Sequence, residues 1–233
     1  MHTPDPDPAP AGGTLDLLVV RHGNTFGPGD PVTWVGRHQD VPLVARGLEQ
    51  ATALGLALAR EGWRPERVLA SALARTRGHA ARALAVAGWS GLPVEVDPRL
   101  DELDYGPWGG LTTEEIEARG DGAALAAWSE HMRWPAAFGE REEDARARVQ
   151  GLAHELAAAA PDRREPLRVL VVSSNGVLRY LLALDPAAFE RRRSGQGFKL
   201  GTGRAGRLER RAGRWRVLGW DLPVEELRLP SWV

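Results

Sequence analysis

The fold of this chain is decided by residues 15–25, which read LDLLVVRHGNT. The apolar first half of this stretch predicts a short buried strand that ends abruptly at Arg21-His22-Gly23. Ligands bind beyond the carboxyl ends of the strands in open α/β sheets, so Arg21 and His22 are placed for chemistry. The triplet alone is weak evidence, because the same residues can open an ordinary solvated loop.

The composition narrows the class of protein. A chain of 233 residues can bury one good α/β core. Lys and Arg number 30 against 31 Asp and Glu, a balance that favours neither nucleic acid nor an anionic membrane as partner. Without cysteine, the chain has no thiol nucleophile and no thiolate metal site. No apolar run approaches the roughly 18 residues of a membrane span, and no signal pattern is present, so we expect a cytoplasmic protein.

The pattern of elements predicts a three-layer α/β/α fold. We expect a mostly parallel central sheet, an antiparallel edge strand and a helical lid insertion at about residues 111–145. Strands are predicted at 15–20, 67–70, 94–96 and 168–173, a closing hairpin at 199–208 and 215–220, and helices at 44–61, 71–85 and 177–184. Residues 1–13 alternate proline with polar or small residues and predict a disordered leader, so 14–233 would form a single domain.

Two further predicted strands, at 67–70 and 168–173, also run into polar residues. Right-handed crossovers place successive helix starts along one edge of a sheet, so Arg75 can share a crevice with His22. A surface arginine is the plain alternative for Arg75. The strand at 168–173 runs into Ser174 and Asn175, where a helix start offers free backbone N–H groups to a phosphate. An ordinary helix cap fits the same residues.

The long excursion at residues 26–43 would lie beside His22 and form part of a pocket wall. Asn24, Thr25 and Trp34 are therefore candidates to line the substrate pocket. For His38 in the same excursion we favour a solvated side chain. Farther along, Asp101 and Asp104 are interpreted as turn formers, and Trp128 and Trp134 as packing residues.

Five segments of the chain resemble, in the same order, the motifs of the histidine phosphatase superfamily, whose fold is called phosphoglycerate-mutase-like. They are RHGNT at 21–25, DVPLVARGLEQA at 40–51, SALART at 71–76, RLDELDYGPWGG at 99–110 and GEREEDARARV at 139–149. One triplet is weak evidence, but five motifs in the right order across most of residues 15–221 are specific.

The resemblance implies a metal-independent mechanism without a cofactor. His22 would attack phosphorus and carry the phosphoryl group as phosphohistidine, because neutral imidazole is a good nucleophile near pH 7. Arg21 and Arg75 would bind the phosphate oxygens with their planar, forked donors. Glu102, by its position in the fourth motif, would be the general acid and base.

One departure from the family pattern bears on activity. In the family, the strand that corresponds to residues 169–173 is normally followed by a second histidine, and Ser174 stands at that position, with Asn175 where glycine is usual. Serine and asparagine can donate hydrogen bonds to phosphate but carry no charge. A lost charge-assisted hydrogen bond costs about 1.5 to 3 kcal/mol, on the order of ten- to a hundred-fold in rate.

The sequence therefore predicts a phosphomonoesterase that acts on a small phosphorylated metabolite. A catalytically impaired protein that binds a phosphorylated ligand is the first alternative, because of Ser174. A phosphoglycerate mutase is the second, and it is disfavoured because Phe26-Gly27-Pro28 stands where the family's mutases have a Trp-Asn pair.

Overall fold

The computed structural model describes residues 13–160 and 165–230. All but the last residue of the predicted leader, 1–13, lies outside this part. The strands are β1 Leu15–Arg21, β2 Arg67–Ala70, β3 Val94–Val96, β4 Leu167–Ser173, β5 Ala205–Arg211 and β6 Arg214–Leu222. The helices are α1 Ala45–Arg60, α2 Ala74–Val86, α3 Thr113–Ile116, α4 Gly122–His131, α5 Glu142–Ala159, α6 Asn175–Leu182 and α7 Pro186–Arg191. Within the described residues, no helix is long and apolar enough to cross a membrane.

The described strands form one mixed sheet in the order β3-β2-β4-β1-β5-β6. The first four in this order run parallel, and β5 and β6 add an antiparallel hairpin at the edge. Ala212 and Gly213 connect the hairpin with φ angles of 49° and 76°, the positive values that a two-residue turn between twisted strands requires. This confirms the predicted mostly parallel sheet with an antiparallel edge.

Helices cover both faces of the sheet, because side chains alternate along its buried strands. Leu17 and Val19 of β1 face the core that contains α5 and α6. Leu18 and Val20 face the opposite core, which contains α1 and α2. The register sets Val19 beside Val171 and ends with Arg21 beside Ser173. As a result β1 and β4, the two central strands, end side by side, with their carboxyl ends on the same side of the molecule.

Helix α2 begins at Ala74 rather than at the predicted Ser71. The hydroxyl of Ser71 lies 2.7 Å from the hydroxyl of Thr76 and forms the turn before the helix. The carboxylate of Asp40 accepts from Ala74 N at 2.6 Å, and so caps the helix from 34 residues away. Helix α6 begins at Asn175, two residues before the predicted start.

A cluster of aromatic rings joins the region of the predicted lid to the loop after β3. Its members are Trp34, Tyr105, Trp108, Trp128, Trp134 and Phe138, which meet edge to face with ring centroids 4.9 to 6.0 Å apart. Trp128 is fully buried, as expected for a packing residue. This aromatic cluster fixes α4 against the loop that carries Glu102.

Candidate active site

His22 lies directly beyond the end of β1 and is almost fully buried. Its backbone N donates to Ser173 O at 3.0 Å, which continues the pairing of β1 with β4. Nδ1 lies 2.8 Å from Gly23 O, and because a carbonyl only accepts, Nδ1 carries the proton. Burial, together with the positive charges of Arg21 and Arg75, lowers the pKa of His22 well below its usual value. His22 is therefore neutral, with the lone pair on Nε2.

A second imidazole, which the sequence did not single out, lies against Gly23, the residue after His22. Gly23 N donates to Nδ1 of His79 at 3.0 Å, and His79 is fully buried. Burial lowers the pKa of His79 to about 3. The available signal was its spacing: His79 follows Arg75 by four residues and so shares its face of α2.

Arg21 and Arg75 bring two guanidinium groups to the same place. Arg21 Nη1 donates to Leu200 O at 2.9 Å. Arg75 is fully buried rather than a surface arginine, and it donates to the carbonyl oxygens of Gln39, Gly36 and Val35 at 2.7, 3.3 and 3.4 Å. A guanidinium group has five N–H donors. At least two donors of Arg75, and more of Arg21, thus remain for a phosphate group.

The carboxylate of Glu102 is also buried, close enough for its charge to act on both arginines. Oε1 accepts from Leu103 N at 2.9 Å and Val177 N at 3.0 Å, and Oε2 accepts from Gly176 N at 3.1 Å. A Cβ on Gly176 would lie 2.6 Å from Oε1, so only glycine allows this approach. The start of α6, predicted to hold a phosphate, therefore holds a carboxylate of this chain.

The electrostatics show that the four groups converge. Burial lowers the pKa of both Arg21 and Arg75, and the negative charge of Glu102 opposes that shift in each. The positive charges of both arginines in turn lower the pKa of His22. A neutral imidazole, two cations and a carboxylate from three distant segments, at residues 21–22, 75 and 102, thus share one site.

Ser174 and Asn175 lie at the start of α6. Ser174 is buried, and its hydroxyl has no hydrogen-bond partner among residues 13–160 and 165–230. Asn175 Oδ1 accepts from Leu200 N at 2.8 Å, which leaves its NH₂ group as the donor. The hydroxyl of Ser174 is thus the freer of the two groups at this position.

A charged network that the sequence did not predict supports the loop of Glu102. Glu140 accepts from Arg37 at 2.7 Å, from Asp104 N at 2.7 Å and from Arg148 at 3.4 Å. Arg37 Nε also donates to Glu102 O at 3.2 Å, and Arg148 donates to the carbonyl of Asp101. The two arginines therefore bind both Glu140 and the backbone around Glu102.

The candidates for the substrate pocket have differing surroundings. Asn24 Oδ1 accepts from Thr202 at 2.6 Å, and Thr25 is half-buried in the same loop. Trp34 belongs to the aromatic cluster, with its ring centroid 5.2 Å from that of Tyr105. His38 is exposed, as expected, although it contacts Asp104 at 3.1 Å. Trp34 thus contacts Tyr105, a residue of the loop that carries Glu102.

A mixed sheet with an imidazole, guanidinium groups and a carboxyl group at its strand ends is typical of enzymes that act on phosphate groups. A family model described as histidine phosphatase superfamily, branch 1, matches residues 17–223. The chain belongs to this superfamily, which confirms the resemblance drawn from its motifs.

The chain is similar to both phosphatases and mutases of the family. It is 34% identical over 175 residues to a glucosyl-3-phosphoglycerate phosphatase of Mycolicibacterium vanbaalenii, covering 72% of each chain. It is 32% identical over 171 residues to a 2,3-bisphosphoglycerate-dependent phosphoglycerate mutase of Methylobacterium radiotolerans, covering 71% of this chain and 76% of the mutase. A mycobacterial glucosyl-3-phosphoglycerate phosphatase in complex with inorganic phosphate shares the fold, with a TM-score of 0.73 and 29% identity over 91% of this chain and 99% of that one.

Proposed function

We propose that this protein is a cytoplasmic phosphomonoesterase that hydrolyses a small phosphorylated metabolite through a phosphohistidine on His22. The observation that carries the proposal is the state of His22: a neutral ring, with its Nδ1 proton held by Gly23 O, beside the cations of Arg21 and Arg75. Such a ring presents an unprotonated nitrogen to a bound phosphate.

In the first step, the lone pair of His22 Nε2 forms a bond to phosphorus while the bond to the ester oxygen breaks. Arg21 and Arg75 stabilise the charge on the equatorial oxygens. Glu102 acts as the general acid and gives a proton to the leaving oxygen. The products of this step are the free alcohol and the phosphorylated histidine.

In the second step, water attacks phosphorus and Glu102 takes a proton from it. The nitrogen–phosphorus bond breaks, inorganic phosphate leaves, and His22 returns to its neutral form. Ser174 and the NH₂ group of Asn175 would donate to a phosphate oxygen where the family has its second histidine. Neither step uses a metal or a cofactor.

Two findings support hydrolysis over phosphoryl transfer between sugar-acid positions. A relative with 34% identity is a phosphatase, and a similar fold binds inorganic phosphate in a phosphatase. The mutase relative keeps mutase activity as a second candidate. Phe26-Gly27-Pro28, in place of the Trp-Asn pair of the family's mutases, argues against it.

The test is hydrolysis of p-nitrophenyl phosphate and a panel of sugar and glycerol phosphates, with the His22→Ala protein as control. We expect turnover by the wild type and a loss of at least about a thousand-fold in the variant. Wild-type protein that binds inorganic phosphate but shows no turnover above the variant would be a phospho-ligand-binding protein instead. Interconversion of phosphoglycerates without release of phosphate would establish the mutase.

A further inference from the structure

A single glycine links the two buried imidazoles at the end of β1. Gly23 N–H donates to His79 Nδ1 at 3.0 Å, and Gly23 O accepts from His22 Nδ1 at 2.8 Å. On its other side Gly23 packs against α1, since a Cβ there would lie 2.5 Å from Gly47 O. The orientation of the His22 ring therefore depends on a residue that α1 and α2 hold from two sides.

We propose that His79 is a positioning residue: by accepting the N–H of Gly23, it fixes the carbonyl that keeps the Nδ1 proton on His22 and directs Nε2 at the phosphate. This role rests on the proposed function, in which Nε2 of His22 is the attacking atom. The bond joins two histidines 57 residues apart in the chain through one hydrogen-bonded glycine.

Packing alone does not explain an imidazole at position 79. His79 is fully buried, and its Nε2 has no partner in the described part of the chain. A buried N–H without a partner is unfavourable, whereas leucine would fill a similar volume without that cost. The feature of histidine that is used here is the acceptor at Nδ1.

The acceptor persists over the whole working pH range. Only a neutral imidazole can accept through Nδ1, because both nitrogens of the charged ring are donors. Burial lowers the pKa of His79 to about 3, so its Nδ1 stays unprotonated in any ordinary buffer. The Gly23 bond is consequently formed whenever the protein is folded near neutral pH.

Two variants separate the acceptor from the volume of the side chain. His79→Asn keeps an acceptor, Oδ1, at the distance of Nδ1 from the backbone, and His79→Leu removes it. Arg77→Leu, at an exposed position on α2, is the matched control. We expect His79→Leu to slow formation of the phosphoenzyme about tenfold or more with little change in KM, and His79→Asn to stay within about threefold of the wild type. The control should match the wild type.

Nitrogen-15 NMR of the histidine rings gives a readout that does not require activity. In the wild type we expect the proton on Nδ1 of His22 and on Nε2 of His79. In His79→Leu the His22 signal should shift toward a mixture of the two tautomers, and His79→Asn should restore it.

Several results would overturn the positioning role. They are a wild-type spectrum with the proton on Nδ1 of His79, a folded His79→Leu protein with unchanged tautomer and rate, or a His79→Asn protein as slow as His79→Leu. If His79→Leu does not fold, the wild-type spectrum and His79→Asn decide. Wild-type protein with these tautomers but no turnover would contradict the proposed function, while the hydrogen-bonded link from His79 through Gly23 to His22 would stand.

Discussion

The nucleophile loop, residues 21–23, and the acid loop, residues 101–105, which are named for the proposed roles of His22 and Glu102, are held by different kinds of interaction. His22 is oriented by the backbone of Gly23 and, beyond it, by a neutral imidazole. Glu102 is bound by the N-terminal N–H groups of α6, and its backbone by arginines that share Glu140. His22 is thus oriented by uncharged partners, whereas the backbone of Glu102 depends on a charged network.

This difference predicts which perturbations affect which loop. Neutral contacts of a buried backbone respond little to salt or to the loss of a distant charge, so the nucleophile loop should be robust to both. The acid loop depends on ion pairs whose partners are costly to leave unpaired. Substitutions of charged residues should therefore act through the acid loop.

Among substitutions in the acid loop, the largest effect is expected for Glu102→Gln. The amide cannot transfer a proton, so formation of the phosphoenzyme should slow about 100-fold or more with glycerol or sugar phosphates. With p-nitrophenyl phosphate, whose leaving group needs no proton, the loss should be less than about tenfold. Rapid-mixing measurements of phosphorylated His22 check this, and equal losses on the two kinds of substrate would rule out the acid role.

Glu140→Gln should destabilise the acid loop. It leaves Arg37 and Arg148, whose side chains are mostly buried, without their shared carboxylate. We expect the free energy of unfolding to fall by about 3 kcal/mol, measured by urea denaturation. Asp144→Asn, which breaks the exposed ion pair with Arg141, is the control and should have little effect. The charged network would be unimportant if both variants lost the same stability.

The buried neutral histidines make stability depend on pH. In the folded protein the pKa values of His22 and His79 lie below the ordinary 6.5. Below about pH 6.5, and down to about pH 3 for His79, the unfolded chain therefore binds protons that the folded protein does not. The free energy of unfolding should fall as pH decreases through this window, by up to about 1.4 kcal/mol per pH unit for each histidine. Urea denaturation between about pH 6.5 and 5 measures the slope.

His79→Asn sharpens this prediction, because it removes one titrating group and keeps the acceptor for Gly23. Its stability should depend on pH less steeply than that of the wild type, by the equivalent of about one proton. A variant with the wild-type slope would show that His79 is protonated in the folded protein.

The smallest effect is expected for Ser174→Ala. The change removes a buried hydroxyl without a described partner, so stability should rise slightly, by about 1 kcal/mol or less. Inhibition by inorganic phosphate should weaken a few-fold if the hydroxyl donates to it. Ser173→Ala is the matched control, because the hydroxyl of Ser173 donates to Leu100 O at 2.6 Å and its loss should destabilise the protein. An unchanged inhibition constant would remove Ser174 from the phosphate site.

Local pattern was sufficient for the framework of the fold. The apolar runs at β2 and β3 have the predicted bounds, and α1 begins and ends within one residue of its predicted span. The reason is that periodicity and turn residues are properties of adjacent positions. The motifs likewise pointed to His22, Arg21, Arg75 and Glu102, which the structure gathers in one place.

Contacts between distant segments could not be predicted in the same way. Asp40 caps α2, Arg37 reaches Glu140 across 103 residues, and His79 contacts Gly23. The sequence predicted free N–H groups at the start of α6, but not that they would donate to the carboxylate of Glu102. Each of these pairings follows from how the elements pack, which no local window of sequence contains.

The aromatic cluster gives the protein a natural optical reporter. Of the protein's nine tryptophans, four meet in this cluster between the acid loop and α4: Trp34, Trp108, Trp128 and Trp134. Indole emission is sensitive to neighbouring rings and to water, so any displacement of α4 during turnover will change the intrinsic fluorescence. Such a displacement can consequently be timed in the unlabelled protein.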